Sequence, residues 1–210
     1  MVTAVLSDWT PTAKDLPILG EPLAIEFANT QYGRGEGAFD FLGSSALVML
    51  WLTHAAPRLP PPTPLHGAEL EALLTLRTAT HALISQAVDG LPLSTAAIGV
   101  VNTCAELAPR VLRLQQLARQ PSATGAAGIR VETISLSEGW NGLLGQLAHE
   151  VIELLGGNRA SLLRRCESPD CTMLFLRHHH RRRWCHDSCG HRSRQAAYSQ
   201  RKLQNLKGNR

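Results

Sequence analysis

The sequence predicts a mainly α N-terminal domain, α+β if one small hairpin forms, followed by a short cysteine-nucleated unit at the C-terminus. Three observations predict this. Apolar residues recur at helical spacing in several long segments before residue 158. Four of the five cysteines fall between residues 166 and 189, in two close pairs. The charge divides at the same place: residues 1–158 hold 8 Lys+Arg and 14 Asp+Glu, whereas residues 159–210 hold 13 and 3. The overall charge of +4 therefore hides an acidic body of −6 and a basic tail of +10.

At 210 residues the chain has room for one ordinary domain and an appendage. A hydrophobic content of 44% excludes general disorder. Only 5% is aromatic, so the core must come from Leu, Ala, Val and Ile. Residues 1–17 read as a leader without the charged and apolar regions of a signal peptide. No apolar run reaches the roughly 18 to 20 residues of a membrane span. The expected location is the cytoplasm, where clustered cysteines bind metal more often than they form disulfides.

Within the body, taken as residues 18–157, "LGEPLAIEFANT" (19–30) is a strand or a first buried helix. "QYGRGEGAFD" is a glycine-rich loop lacking the Lys-Ser/Thr ending of a phosphate loop. "FDFLGSSALVMLWLTHA" (39–55) reads as an apolar helix stopped by the proline-rich stretch 57–64. The clearest helix is 68–89, in which Leu70, Leu73, Leu74, Leu76, Leu83, Ile84, Ala87 and Val88 share one face and Gly90 ends it. Ser94 caps the next helix. "RVLRLQQ" and "GIRVETISL" alternate partly and suggest a hairpin. A last amphipathic helix, 137–157, aligns Trp140, Leu143, Leu144, Leu147, Val151, Leu154 and Leu155. "GGNRA" marks the boundary before the unit 160–210.

That unit is spaced Cys166-x4-Cys171-x13-Cys185-x3-Cys189. Two close pairs can each grip one side of a tetrahedral Zn2+, and Ser-Pro-Asp between the first pair favours a tight turn. "TMLFL" and "RRRWC" have strand composition and suggest a hairpin, and a helix follows Cys189. Knuckle, hairpin, knuckle, helix is a treble-clef-like zinc finger. Coordination would supply folding energy that some 40 residues cannot obtain from burial. One structural zinc on Cys166, Cys171, Cys185 and Cys189 leaves no open position for catalysis. The alternatives are His186 or His191 as the fourth ligand, an iron–sulfur cluster, or redox disulfides. Cys104 reads as an ordinary buried cysteine.

"CESPDC", "LFL" and "RRWC…CGHR" resemble the CGNR-type zinc finger, with His191 where that family has Asn and Arg177 where it has Asp. "EPLAIEFANT", "LEALLTLRTATHALI" and the two-part layout are similar to the ABATE domain of stress-induced transcription regulators. The resemblance implies a DNA-binding regulator.

Arg181, Arg182, Arg183, Arg192, Arg194, Arg201 and Lys202 flank the zinc positions and suit phosphate binding, which points to DNA. RNA, or a protein-interaction or structural role, fits the same charges. In the body, Arg77 and His81 lie one turn apart within an apolar stripe, and a buried cation needs a partner. Glu26 is the candidate partner. The functional reading of Glu26, Asn29, Arg77 and His81 is a site for a small anionic ligand. No GxSxG or HExxH motif is present, and the chain is not expected to be an enzyme.

Overall fold

The computed structural model describes residues 16–33, 38–55, 65, 67–116, 128–169 and 171–207. Most of the expected leader, the proline-rich stretch 57–64 and the tip of the expected hairpin lie outside these residues.

The ambiguous apolar segment is a helix, α1 (Leu23–Ala28), and all six of its residues are buried. A helix apolar almost all round can only sit in an interior. Pro22 precedes it, and the Pro22 carbonyl accepts the first helical N–H groups from Ile25 and Glu26. Helices α3 (Gly67–Asp89) and α5 (Gly139–Gly156) and the last strand of the finger close around α1.

The two ends of the glycine-rich stretch pair as short antiparallel strands, β1 (Gln31–Tyr32) with β2 (Phe39–Asp40). The helix expected over 39–55 therefore begins later, as α2 (Ser45–Ala55). Asp40 is the physical reason. Its carboxylate accepts the Leu42 N–H at 2.8 Å, which fixes a turn where helix was expected. Trp51 of α2 is fully buried, with its ring 5.5 Å from that of Phe27.

The stripe of α3 buries Leu73, Leu76, Leu83 and Ile84, each worth roughly 1.5–3 kcal/mol of transfer free energy. Helix α4 (Thr95–Glu106) starts at Ser94, whose hydroxyl accepts the Ala97 N–H at 3.3 Å. Its end meets α5 very closely: a Cβ added at Gly145 would lie 2.2 Å from Ala108 Cβ. The hairpin β3 (Arg110–Gln116) and β4 (Ile129–Ser135) forms as expected, in a seven-pair antiparallel ladder.

A 3-10 turn, Asn158–Leu162, leads to β5 (Leu163–Arg165), which pairs with β6 (Leu174–Leu176). Helix α6 (Asp187–Lys207) ends the described chain. The finger's hairpin is thus not the one read from composition. "LFL" pairs with the segment before the first knuckle, and none of residues 181–186 is in a strand. Leu163, Leu174 and Leu176 are buried in the same core as α1, α3 and α5. The packing therefore runs straight across the "GGNRA" boundary. A second, smaller cluster gathers the cysteines with Met173 and Phe175.

Candidate metal centre and nucleic-acid interface

The β5–β6 hairpin carries the first knuckle in its loop. The Cys166 N–H bonds the Met173 carbonyl at 2.9 Å, and the Cys171 N–H bonds the Ser168 carbonyl at 3.2 Å. The second knuckle leads into α6, and Cys189 sits in that helix's first turn, its N–H on the His186 carbonyl at 3.1 Å. The buried Ser168 hydroxyl donates to the Cys189 carbonyl at 3.1 Å and ties the knuckles together.

All four cysteines are buried, and their Sγ atoms lie within 4.8 Å of one another. Three of the separations are 3.6, 3.8 and 3.9 Å. A tetrahedron with Zn–S bonds of about 2.3 Å requires sulfurs about 3.8 Å apart. The donor set and its spacing thus fit one structural zinc.

The electrostatics fit as well. Hydrogen bonds from Cys171 and Cys185 drive Cys166 toward the thiolate, while those same bonds drive Cys171 and Cys185 toward the thiol. Four thiolates in so small a space need a cation between them, and a bound zinc would supply it as a covalent-strength crosslink. The Cys185 N–H points at Cys166 Sγ (3.4 Å) and Arg192 donates to Cys189 Sγ (3.0 Å), which places positive charge against the cluster. His186 and His191, the alternative ligands, are exposed and outside it; they bond Ser188 Oγ at 2.9 Å and Arg194 at 3.2 Å.

Two family models cover most of the chain. Residues 21–158 match the ABATE family, described as "Putative stress-induced transcription regulator", and residues 163–202 match the CGNR zinc finger. The chain belongs to the ABATE family. No curated protein matches it.

The CGNR finger's own signature now has a geometry. A Cβ at Gly190 would lie 2.9 Å from the Trp184 ring, so the indole rests on the helix backbone where only glycine fits. Arg183 and Arg194 each stand 5.7 Å from the centre of that ring. Arg192, expected to meet phosphate, holds the Cys189 sulfur, and the Tyr32 hydroxyl and Cys189 strengthen its hold on its proton. His191 in the Asn position is exposed.

The seven cations expected to contact nucleic acid divide by environment. Arg182 faces inward. It donates to the carbonyls of Leu176 (3.0 Å) and Cys185 (2.8 Å), pairs with Glu21 at 2.8 Å and stacks 4.7 Å from the Phe175 ring. Arg183 bonds Glu167 at 2.6 Å on the surface. Arg181, Arg194, Arg201 and Lys202 are exposed. On α6, His191, Arg194, Tyr198 and Arg201 follow one another at helical spacing, and Tyr198 is 64% exposed.

Three of the four ligand candidates of the ABATE portion, Glu26, Asn29 and Arg77, have partners within the protein. Arg77 is buried and forms a bidentate pair with Asp40, not with the expected Glu26. Asp40 lies 37 residues away in a two-residue strand, and no local pattern links the two. Burial pushes the Asp40 carboxyl up, but the Arg77 hydrogen bond, the Leu42 N–H and the Arg77 charge outweigh it and lower its pKa. Glu26 Oε1 accepts the N–H groups of Leu19 (2.9 Å) and Glu21 (2.8 Å); its Oε2 is buried without a hydrogen-bond partner among the described residues. Burial raises the Glu26 pKa. Asn29 bonds Leu174. His81 is half-buried, and burial and then the charges of Arg165 and Arg77 lower its pKa.

Sequence reading also missed Trp184, Glu21 and Tyr32. An aromatic beside the third cysteine was the one available signal, for Trp184. No helix among the described residues is long and apolar enough to cross a membrane.

Proposed function

We propose that the chain is a cytoplasmic transcription regulator that binds DNA through its zinc finger and α6. One observation carries this reading. Helix α6 leaves the metal knuckle with exposed Arg194, Arg201 and Lys202 beside exposed Tyr198, and past Gly190 its described side chains are exposed or half-buried. A helix polar all round is not held by its own core and suits a charged partner. Zinc fixes the root of that helix, so its cations meet a phosphate backbone in one orientation. With the metal shell closed by four thiolates, the reading includes no catalytic step.

The test is duplex binding measured over a salt series. If Arg181, Arg194, Arg201 and Lys202 each neutralise one phosphate, log affinity falls with log salt at a slope of about −3.6. Absence of binding to any duplex at low salt overturns the reading. Tighter binding to single-stranded or duplex RNA reassigns the partner.

A second reading, the finger as a structural module, is supported by Leu163, Leu174 and Leu176 lying in the ABATE core. The two roles use different residues and are compatible. Sensing of a small anion belongs to the same proposal, but the anion would have to compete with Asp40 for Arg77. A thermal-shift screen of small carboxylates and phosphates tests this, and a flat response disposes of it.

A further inference from the structure

The β3–β4 ribbon leaves an apolar face exposed. Side chains of one strand face alternate sides, and the register sets Leu112 opposite Thr133, Leu114 opposite Val131 and Gln116 opposite Ile129 on one face. On that face Leu112 is 76%, Leu114 72%, Ile129 66% and Val131 60% exposed. The reverse face carries Val111, Arg113, Gln115, Arg130, Glu132 and Ile134, of which Glu132 and Ile134 are half-buried; Arg110, at the base of the apolar face, is half-buried and bonds Glu153 of α5. Apart from Arg110, Glu132 and Ile134 every described residue of the ribbon is exposed, so its apolar face stands in solvent, and an isolated two-stranded hairpin is at best marginally stable in water.

We propose that this outer face is the contact through which a second copy of the chain docks, forming a two-fold dimer centred on Leu112, Leu114, Ile129 and Val131 of both copies. Area supports the assignment. The four side chains expose about 500 Å² per copy, so pairing two copies covers about 1,000 Å², the threshold of a specific interface. The face does not suit an anionic partner, because its centre carries no charge and the ribbon's Arg113 and Arg130 lie on the reverse side. A self-complementary patch closes at two copies, since each apolar face is fully used by the other. At the base of the ribbon, the Arg110–Glu153 pair (2.8 Å) supplies the polar rim such interfaces have.

The experiment is the mass of the full zinc-loaded chain in solution, by light scattering and sedimentation equilibrium. An interface at the lower end of the specific range calls for a wide range, from about 1 to 100 μM. The expected result is twice the chain mass at the upper end. The double variant Leu114→Glu, Val131→Glu should lose the dimer while keeping its zinc content and far-UV spectrum. Both positions are exposed in the monomer, so the variant is not expected to impair folding. A wild-type chain that is monomeric throughout the range overturns the proposal. So does a double variant that still dimerises, or a monomeric chain that instead binds lipid vesicles through this face.

Discussion

The side chain of Asn29, at the end of α1, serves Leu174 of the finger as a strand neighbour would. Its Nδ2 donates to the Leu174 carbonyl and its Oδ1 accepts the Leu174 N–H, both at 2.9 Å, across 145 residues of sequence. Both groups are buried, and β6 has β5 only on its other side. Asn29→Ala should leave a backbone donor and acceptor unpaired and cost about 2–4 kcal/mol. Denaturant unfolding checks it. A change below about 0.5 kcal/mol would mean that water replaces the amide at no cost.

Removal of zinc should therefore be felt beyond the finger. The hairpin that bears the first knuckle also contributes Leu163, Leu174 and Leu176 to the core around α1. Cys171→Ser should bind less than half an equivalent of metal and lower the melting temperature of the ABATE helices, followed by far-UV circular dichroism. Two independent units would instead show an unchanged helical melt with loss of the finger alone.

Arg182 and Arg194 look alike in sequence and should behave oppositely. Glu21, 3% exposed at its side chain, loses its cation in Arg182→Ala, and breaking such a pair costs about 3 kcal/mol. Arg194→Ala removes an exposed cation and should change stability by less than about 0.5 kcal/mol. If DNA is the partner, Arg194→Ala and Arg201→Ala should each reduce the salt slope by about 1. Unfolding midpoints and salt slopes measured on the same variants separate the two roles.

These contrasts mark what could be read from the sequence. The stripe of α3, the Ser94 cap and the four cysteines are local patterns, and periodicity or spacing reveals them. Arg77–Asp40 and Asn29–Leu174 depend on which elements meet, and no window of sequence encodes that. The arginines were visible as charge, but their direction was not. An arginine that satisfies backbone carbonyls, as Arg182 does, has the same composition signal as one that faces phosphate. The swapped finger hairpin has the same origin: "RRRWC" has strand composition, yet Trp184 packs closely on Gly190 and Arg182 turns inward.

Glu26 supplies the pH test. Burial raises its pKa above the unfolded value, so the protonated form is favoured in the folded state. The sign follows: its contribution is fully present below the unfolded pKa and is lost as pH rises through the folded pKa. At neutral pH the charged carboxylate is therefore a burden on the fold. Glu26→Gln keeps an oxygen for the Leu19 and Glu21 N–H groups and carries no charge. It should melt higher than wild type at pH 7, and the gap should narrow as pH falls through the raised folded pKa and be closed below about 4.5. Asp40 acts in the opposite sense. Its lowered pKa gives stability that is present above the unfolded value and lost as pH falls through the folded one. Asp40→Asn should thus destabilise at pH 7 and lose that effect in acid. Melting temperatures of the two variants against pH should approach the wild-type curve from opposite sides, and curves parallel to wild type would remove both groups from the account.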